Sequence, residues 1–467
     1  MVIIALKNEI LSKTPSCWRL FFWILIIGCR LGILSRSIKR KIYTLEDAVS
    51  EPSKQNLSEK LFAPRQTSKE TSNIVKIAHV RSGDVNNALD GESQLEWYRV
   101  LRRPQWIWQG VDPVEQEAVL ARIAASTAPR TSEHLLDTVI GYRPGNWTYE
   151  WSQLGSNYQQ LARTAANNGD KLAASELLFK ASTHYSIAAY PYIKGDQLAD
   201  QAELQANQSY REAIELRPHD MRKIDVKYEN KTFEAFIHLP RTDKLLPTVI
   251  VSGGLATLQS DLWRLYQDYL GPAGYAMVTL DMPSVGHSDR WNLTEDTSRL
   301  HQALLQQIRD VPWVDNRNVA MLGLRMGGNA AIRLGFMEPT RLKTCVSIGG
   351  AINSFLTQPK LLDKIPRMYL DVLASRMGKN GQAEASIKSH LPAWSLKNQG
   401  ILGRRRVDIP MLGIGLKNDP VCPEIDNQLI ALSSYGGKAM TLPEKPIYDG
   451  YHRVMTEVVE WLDDKMK

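Results

Sequence analysis

The chain has 467 residues, 43% of them hydrophobic and 23% charged, a globular composition with room for two or three domains and a sizeable core. Its formal charge of +7 is not a nucleic-acid footprint, because residues 1–52 carry eight Lys/Arg against four Asp/Glu and so hold most of the excess. Four cysteines (Cys17, Cys29, Cys345, Cys422) form no disulfide framework and no zinc spacing, which fits a reducing, cytoplasmic compartment and leaves the sequon Asn146-Trp147-Thr148 uninformative.

The run Leu20–Cys29 is apolar, but Arg19 and Arg30 flank it, and a bilayer span needs about 20 such residues. No small-residue cleavage site precedes the basic cluster from Arg36 to Lys41. An interfacial anchor, an uncleaved signal anchor and sequence upstream of the true start are the three readings of residues 1–52, and membrane contact follows only if this segment is real.

From Leu57 to Pro218 there is almost no alternation of period two, while stretches such as Val114–Ala125 place apolar residues at helical spacing. Ser156–Ala188 and Leu198–Leu216 read as successive amphipathic helices, broken at Asn167–Asp170 and Tyr190–Asp196. No second 34-residue copy supports a tetratricopeptide-like array. The expected organisation is a helical domain over 53–218 and an α/β domain over 219–467.

At Pro218 the pattern changes. Ile224–Tyr228 and Phe233–Leu239 flank a turn at Asn230-Lys231 and predict a hairpin. Short apolar runs then alternate with helical stretches: Thr248–Val251, Ala276–Leu280, Val319–Leu322, Cys345–Ile348, Met411–Leu416 and Ala439–Leu442. That order predicts a mostly parallel, doubly wound sheet of the α/β-hydrolase type, with the interval Ala351–Arg406 as a lid over the strand ends, where such folds bind ligands.

Within it, Asn318–Asn329 reads as a strand running into a glycine-flanked turn and then a helix, the setting of the G-x-S-x-G nucleophile elbow. The central residue is Arg325. A guanidinium is permanently protonated and is neither nucleophile nor base. Two readings stay open: Arg325 presents a fork to a carboxylate or phosphate beside a helix N-terminus, or it pairs with a buried acid and fills the old site.

Ser252-Gly253-Gly254-Leu255 follows a strand where an oxyanion loop belongs, so Gly254 shapes the loop and the N–H groups of Leu255 and Met326 are the expected donors. Asp419 follows Met411–Leu416 where a triad acid lies, although Asp-Pro after a strand is also plain turn chemistry. His452 precedes the closing helix, expected over Val454–Lys465, where the triad histidine belongs. Ser252 and Ser284 are the nearest substitute nucleophiles by topology. No cofactor and no metal are expected.

Several strings resemble the fermentation-respiration switch protein family of FrsA esterases, in the α/β-hydrolase superfamily: Asn56–Phe62, Ala88–Asp90, Trp97–Arg99, Gly145–Trp147 with Tyr149–Trp151, Asp281–Gly286, Val311–Asp315 and Tyr369–Arg376. The resemblance covers about 53–467 and extends to an arginine-bearing elbow. It implies a bacterial cytoplasmic carboxylic-ester hydrolase and a partner, the unphosphorylated glucose-specific enzyme IIA of the sugar phosphotransferase system. It also marks residues 1–52 as an upstream extension. Where relatives often have GGLD, this chain has Gly253–Ala256, without the carboxylate, and some relatives lack a histidine at the place of His452. Two functions follow: an esterase on short esters with His452, oriented by Asp419, as general base; or a catalytically weak regulatory protein whose Arg325 clamps a small carboxylate.

Overall fold

Five of the six apolar runs are buried and make the centre of the sheet, while Ala439–Leu442 lies at its edge with no buried position. The computed structural model describes residues 69–75, 85–217 and 220–467; the apolar run Leu20–Cys29, the basic cluster after it and the string Asn56–Phe62 lie outside the described residues. The strands are β3 (Met221–Tyr228), β4 (Lys231–His238), β5 (Leu246–Ser252), β6 (Ala276–Leu280), β7 (Val314–Leu324), β8 (Thr344–Ile348), β9 (Met411–Leu416) and β10 (Lys438–Leu442). They form one sheet in the order β10-β9-β8-β7-β5-β6-β4-β3. From β5 onward neighbouring strands run parallel, while β3/β4 and β4/β6 are antiparallel. Strands β5, β6, β8 and β9 are buried at every position but one, as expected of a sheet covered on both faces. The hairpin turn falls at Glu229-Asn230 and not at Asn230-Lys231: both turn residues take positive φ, and Lys231 already pairs with Tyr228.

Before the sheet come α1 (Arg103–Trp108), α2 (Pro113–Ala124), α3 (Trp147–Asn167), α4 (Lys171–Ala189) and α5 (Gln197–Glu215). Their starts are chemically marked. Asn146, Asp170 and Asp196 each accept N–H groups from the first turn of the helix they precede, which satisfies donors the helix cannot. Trp106, Trp147 and Trp151 pack edge-on or tilted within 6.0 Å of one another, and burial of such rings dominates a core. Phe179 of α4 stacks on Trp263, and Tyr210 of α5 packs on Phe236 of β4, so helices and sheet share one core. Residues 67–467 accordingly form a single compact unit.

One β feature interrupts the helical part. Asn86–Asn87 (β1) pairs with Gly91–Glu92 (β2) in a ribbon of two-residue strands, too short to leave any alternation in the sequence. The remaining helices that matter below are α6 (Met326–Met337), α7 (Arg367–Arg376) and α8 (Gly450–Met466). Among the described residues no helix is long and apolar enough to cross a membrane.

Candidate active site

The turn from β7 into α6 is the sharpest point of the sheet. Arg325 sits there at φ 54°, ψ −116°, a conformation that costs an ordinary side chain of order 1–3 kcal/mol and persists only where its surroundings enforce it. The enforcement is steric. A Cβ on Gly323 would lie 1.9 Å from the Gly327 oxygen, and one on Gly327 would lie 2.4 Å from the Ser252 oxygen, so only glycine lets strand, turn and helix close this tightly. The backbone is thus a nucleophile elbow with a guanidinium on it.

That guanidinium is not free. Its Nη1 donates to Asp419 Oδ2 at 2.6 Å and to the Gly349 oxygen at 2.7 Å; its Nη2 donates to Asp90 Oδ2 at 2.7 Å and more loosely to Asn87 Oδ1 at 3.4 Å. The side chain is 13% exposed. Burial works against its charge, but Asp419 and Asp90 outweigh burial and hold it protonated. Of the two readings left open for Arg325, pairing with buried acid describes its contacts; an open fork does not. The acid is supplied twice, from Asp419 after β9 and from Asp90 in the β1/β2 ribbon. Burial lifts the Asp419 carboxyl above the ordinary carboxylate value, against the pull of Arg325.

Around the elbow lies a cavity of about 120 Å³. Its floor is the elbow itself with Gly254, Leu255 and Met326; its walls come from α1, the ribbon and the segment after β8, including Phe355, Ile365 and Tyr369. The N–H groups of Leu255 and Met326 have no hydrogen-bond partner among the described residues. Met326 opens α6, so its N–H also carries the positive end of the helix dipole. The loop holding Leu255 is fixed by two buried arginines: Arg376 Nε donates to the Leu255 oxygen at 2.9 Å, and Arg102 Nη1 donates to the Ala256 oxygen at 2.6 Å. Gly254, Leu255 and Met326 therefore come together where the sequence placed them.

Two expectations need correction. His452 does not face the cavity: it is exposed on α8, its Nδ1 3.0 Å from Tyr269 Oη, with no contact to Asp419. The helix begins at Gly450, not Val454, so residues 451 and 452 point about 100° apart, and the ring that turns inward is Tyr451. Tyr451 stacks on Trp108 at 4.8 Å and donates to the Leu89 oxygen. Ser284 is buried but lies outside the cavity wall; its carbonyl accepts from Arg376, and its own hydroxyl has no partner. Ser252 is likewise buried off the wall. Among the described residues no cluster suited to a metal ion is found.

Sequence reasoning missed Asp90 and Arg102. Arg102 lines the cavity, shares its remaining donors with Tyr369 Oη, and has no carboxylate partner among the described residues.

The sheet order, the strained elbow at the end of β7 and the open N–H pair beside it define an α/β hydrolase by fold, with an arginine at the nucleophile position. The comparisons agree. The family model described as Esterase FrsA-like matches residues 52–467. "Esterase FrsA" of Photobacterium profundum is 73% identical over 418 residues, covering 90% of this chain and all of the relative. "Esterase FrsA" of Vibrio cholerae serotype O1 is 47% identical over the same shares. The chain belongs to the FrsA-like esterase family. Among solved structures, a 2,6-dihydroxy-pseudo-oxynicotine hydrolase is similar with a TM-score of 0.63 at 17% identity, over 78% of this chain and 95% of that one. AbyA5 is similar with a TM-score of 0.57 at 19% identity, over 75% and 94%. At such identities the likeness is one of fold, and it spans more than the sheet-bearing part alone could supply.

Proposed function

We propose that the cavity hydrolyses carboxylic esters by direct attack of water. The observation that supports this most is the unpartnered pair of N–H groups on Leu255 and Met326, two residues that line the cavity at the elbow. Donors held in advance where negative charge develops are the largest single contribution in acyl transfer. The ester carbonyl oxygen is received by these two groups. Water adds to the carbonyl carbon while Asp90, which lines the same cavity, takes its proton. The C–O bond to the alcohol then breaks, and the proton passes to the departing oxygen. Asp90 Oδ2 is already engaged by Arg325, so turnover is slow and favours good leaving groups, such as p-nitrophenolate, and short acyl chains that fit about 120 Å³.

Among the described residues no serine or cysteine lines the cavity, which is why the reading names no acyl-enzyme. The same fact favours a second reading, a regulatory pocket that binds a carbonyl compound without turnover. Arg325 cannot then be the carboxylate clamp, since both its Nη atoms are engaged with Asp90 and Asp419. A panel of p-nitrophenyl esters assayed with wild type and Asp90→Asn separates the two. Loss of about 10²- to 10⁴-fold in kcat with the protein still folded fits the base role. Equal turnover in both proteins removes Asp90 from the mechanism, and no turnover in either leaves the binding reading.

A further inference from the structure

The cavity wall is mostly apolar, and its four charged side chains are not alike. Asp90 and Arg325 bond each other at 2.7 Å, and Arg102 donates to the Ala256 oxygen and to Tyr369 Oη. Lys364 differs from all three. Its side chain makes no hydrogen bond or ion pair among the described residues, and of the described residues that line the cavity it alone is exposed. A residue that belongs to the wall and is also open to solvent marks the mouth. Leu361, Ile365 and Pro366, which line the cavity beside it, are apolar and at least half-buried, so the wall turns from apolar to charged at this position. The acids nearest to it in the sequence are occupied elsewhere: Asp363 pairs with Lys388 at 3.1 Å, and Asp371 with Arg367 at 2.9 Å. A lysine head is a compact point charge on a flexible four-carbon stem, so it can follow an anion across the mouth without a fixed pocket.

We propose that Lys364 is the anion-selecting residue at the mouth of this cavity and that the favoured ligand is an acyl chain ending in a carboxylate. The apolar wall takes the chain, the N–H groups of Leu255 and Met326 take the carbonyl oxygen at the floor, and the terminal carboxylate stays in water beside the ammonium. Such a ligand avoids the cost that a carboxylate would meet deeper inside. The substrate class is therefore the monoester of a dicarboxylic acid, set apart from the plain alkanoate ester by the charge at its far end. This deepens the ester-hydrolase reading and rests on it for the kinetic arm of the test alone.

That arm compares three p-nitrophenyl esters of one chain length on the full-length protein: the hexanoate, the hydrogen adipate and the 6-(trimethylammonio)hexanoate. Wild type is expected to favour the anionic tail over the neutral one by about threefold in kcat/KM at an ionic strength of about 0.01 M, the scale of one exposed ion pair, and to lose that preference at about 1 M. Each ratio is taken within one protein, so it does not depend on how much of a variant is folded. In Lys364→Met the ratio falls to about one, and in Lys364→Glu it inverts in favour of the cationic tail. Calorimetry with 2-heptanone and 6-oxoheptanoate repeats the comparison without catalysis. If no ester turns over but 6-oxoheptanoate is still bound more tightly in a Lys364-dependent way, ester hydrolysis fails and the anion site stands. Equal values for charged and neutral tails in wild type overturn the site, as does a preference for the anion that persists in Lys364→Glu. Absence of both turnover and ketone binding in wild type overturns it as well.

Discussion

Arg325 and Asp90 meet at 2.7 Å across 235 positions of sequence, and Asp419 completes the contact from the other side. One guanidinium therefore ties the elbow, the end of β9 and the ribbon β1/β2 together. Ala88 and Leu89 of the ribbon, in turn, abut Gly450 and Tyr451 at the start of α8. The position that holds a nucleophile in a serine hydrolase here holds a cross-link.

Removing it should be costly. Arg325→Met leaves two buried carboxyl groups facing each other without a cation, and breaking such a pair typically costs about 3–5 kcal/mol. The pH dependence gives the mechanism away. Burial already raises the Asp419 carboxyl above its ordinary 3.8, and without Arg325 only the backbone N–H groups of Val421 and Cys422 still oppose that upward push. A group raised in the folded state contributes stability below its unfolded value and loses it as pH rises through the folded one. The variant's deficit in melting temperature is therefore expected to be smallest near pH 4 and to widen toward pH 7. A deficit that does not change with pH would mean lost packing, not stranded charge.

A second charge cluster gives a prediction with the same sign at higher pH. His287 lies between Glu234, 3.1 Å from Nε2, and Asp281, 3.6 Å from Nδ1. Burial alone would lower its pKa, but the neighbouring Asp281 and Glu234 carboxylates outweigh burial and hold it up at about 9. The contribution is complete below the unfolded value of 6.5 and disappears as pH rises through about 9. Chemical denaturation at pH 6.5 and pH 10 should show wild type losing about 3 kcal/mol more than His287→Gln over that interval. Parallel losses in the two proteins would place the titration elsewhere.

How much of this could be read beforehand depends on the range of the signal. Strands such as Ala276–Leu280 and Met411–Leu416 stand in the structure with the bounds their composition suggested, because a buried parallel strand is a local property of a few residues. The elbow was legible for the same reason: its glycines are needed by contacts within five residues and by the strand alongside. Asp90 was not, since nothing near it in sequence says that a two-residue ribbon crosses to the end of β7. His452 misled because chain order predicts which residue reaches a site only when the helix start is known to within one residue. A quarter-turn of α8 separates the inward Tyr451 from the outward His452.

Arg102 is expected to act as a positioning residue. It touches the loop that presents Leu255 N–H through the Ala256 oxygen at 2.6 Å and Thr257 Oγ1 at 3.4 Å. In Arg102→Met the loop is released, and kcat on p-nitrophenyl esters should fall by about 10²-fold, the scale of a lost oxyanion donor, with a smaller change in KM. Arg102→Lys, which can still reach one carbonyl, should recover part of that loss. A structural defect alone would lower the amount of folded enzyme and leave the KM-to-kcat pattern of the remainder unchanged, so active-site-independent quantification by calorimetry or circular dichroism accompanies the kinetics.

Restoring the nucleophile should not restore a serine esterase. Arg325→Ser regenerates the Gly323-x-Ser-x-Gly327 elbow in sequence, and the Leu255 and Met326 donors remain. A serine hydroxyl is a poor nucleophile until a base removes its proton, and the histidine that chain order nominates is turned away: His452 is exposed beside Tyr269, while the buried Tyr451 occupies the inward place and burial pushes its phenol pKa up. The variant also strands Asp90 and Asp419, as above. Stopped-flow assays with p-nitrophenyl acetate should therefore show no burst of p-nitrophenol in Arg325→Ser. In the wild-type background, His452→Ala should leave kcat/KM within about twofold, since an exposed side chain that touches no reacting group contributes no base catalysis. A burst in Arg325→Ser that vanishes in the Arg325→Ser, His452→Ala double variant would show instead that α8 can rotate His452 inward, and would return it to the mechanism.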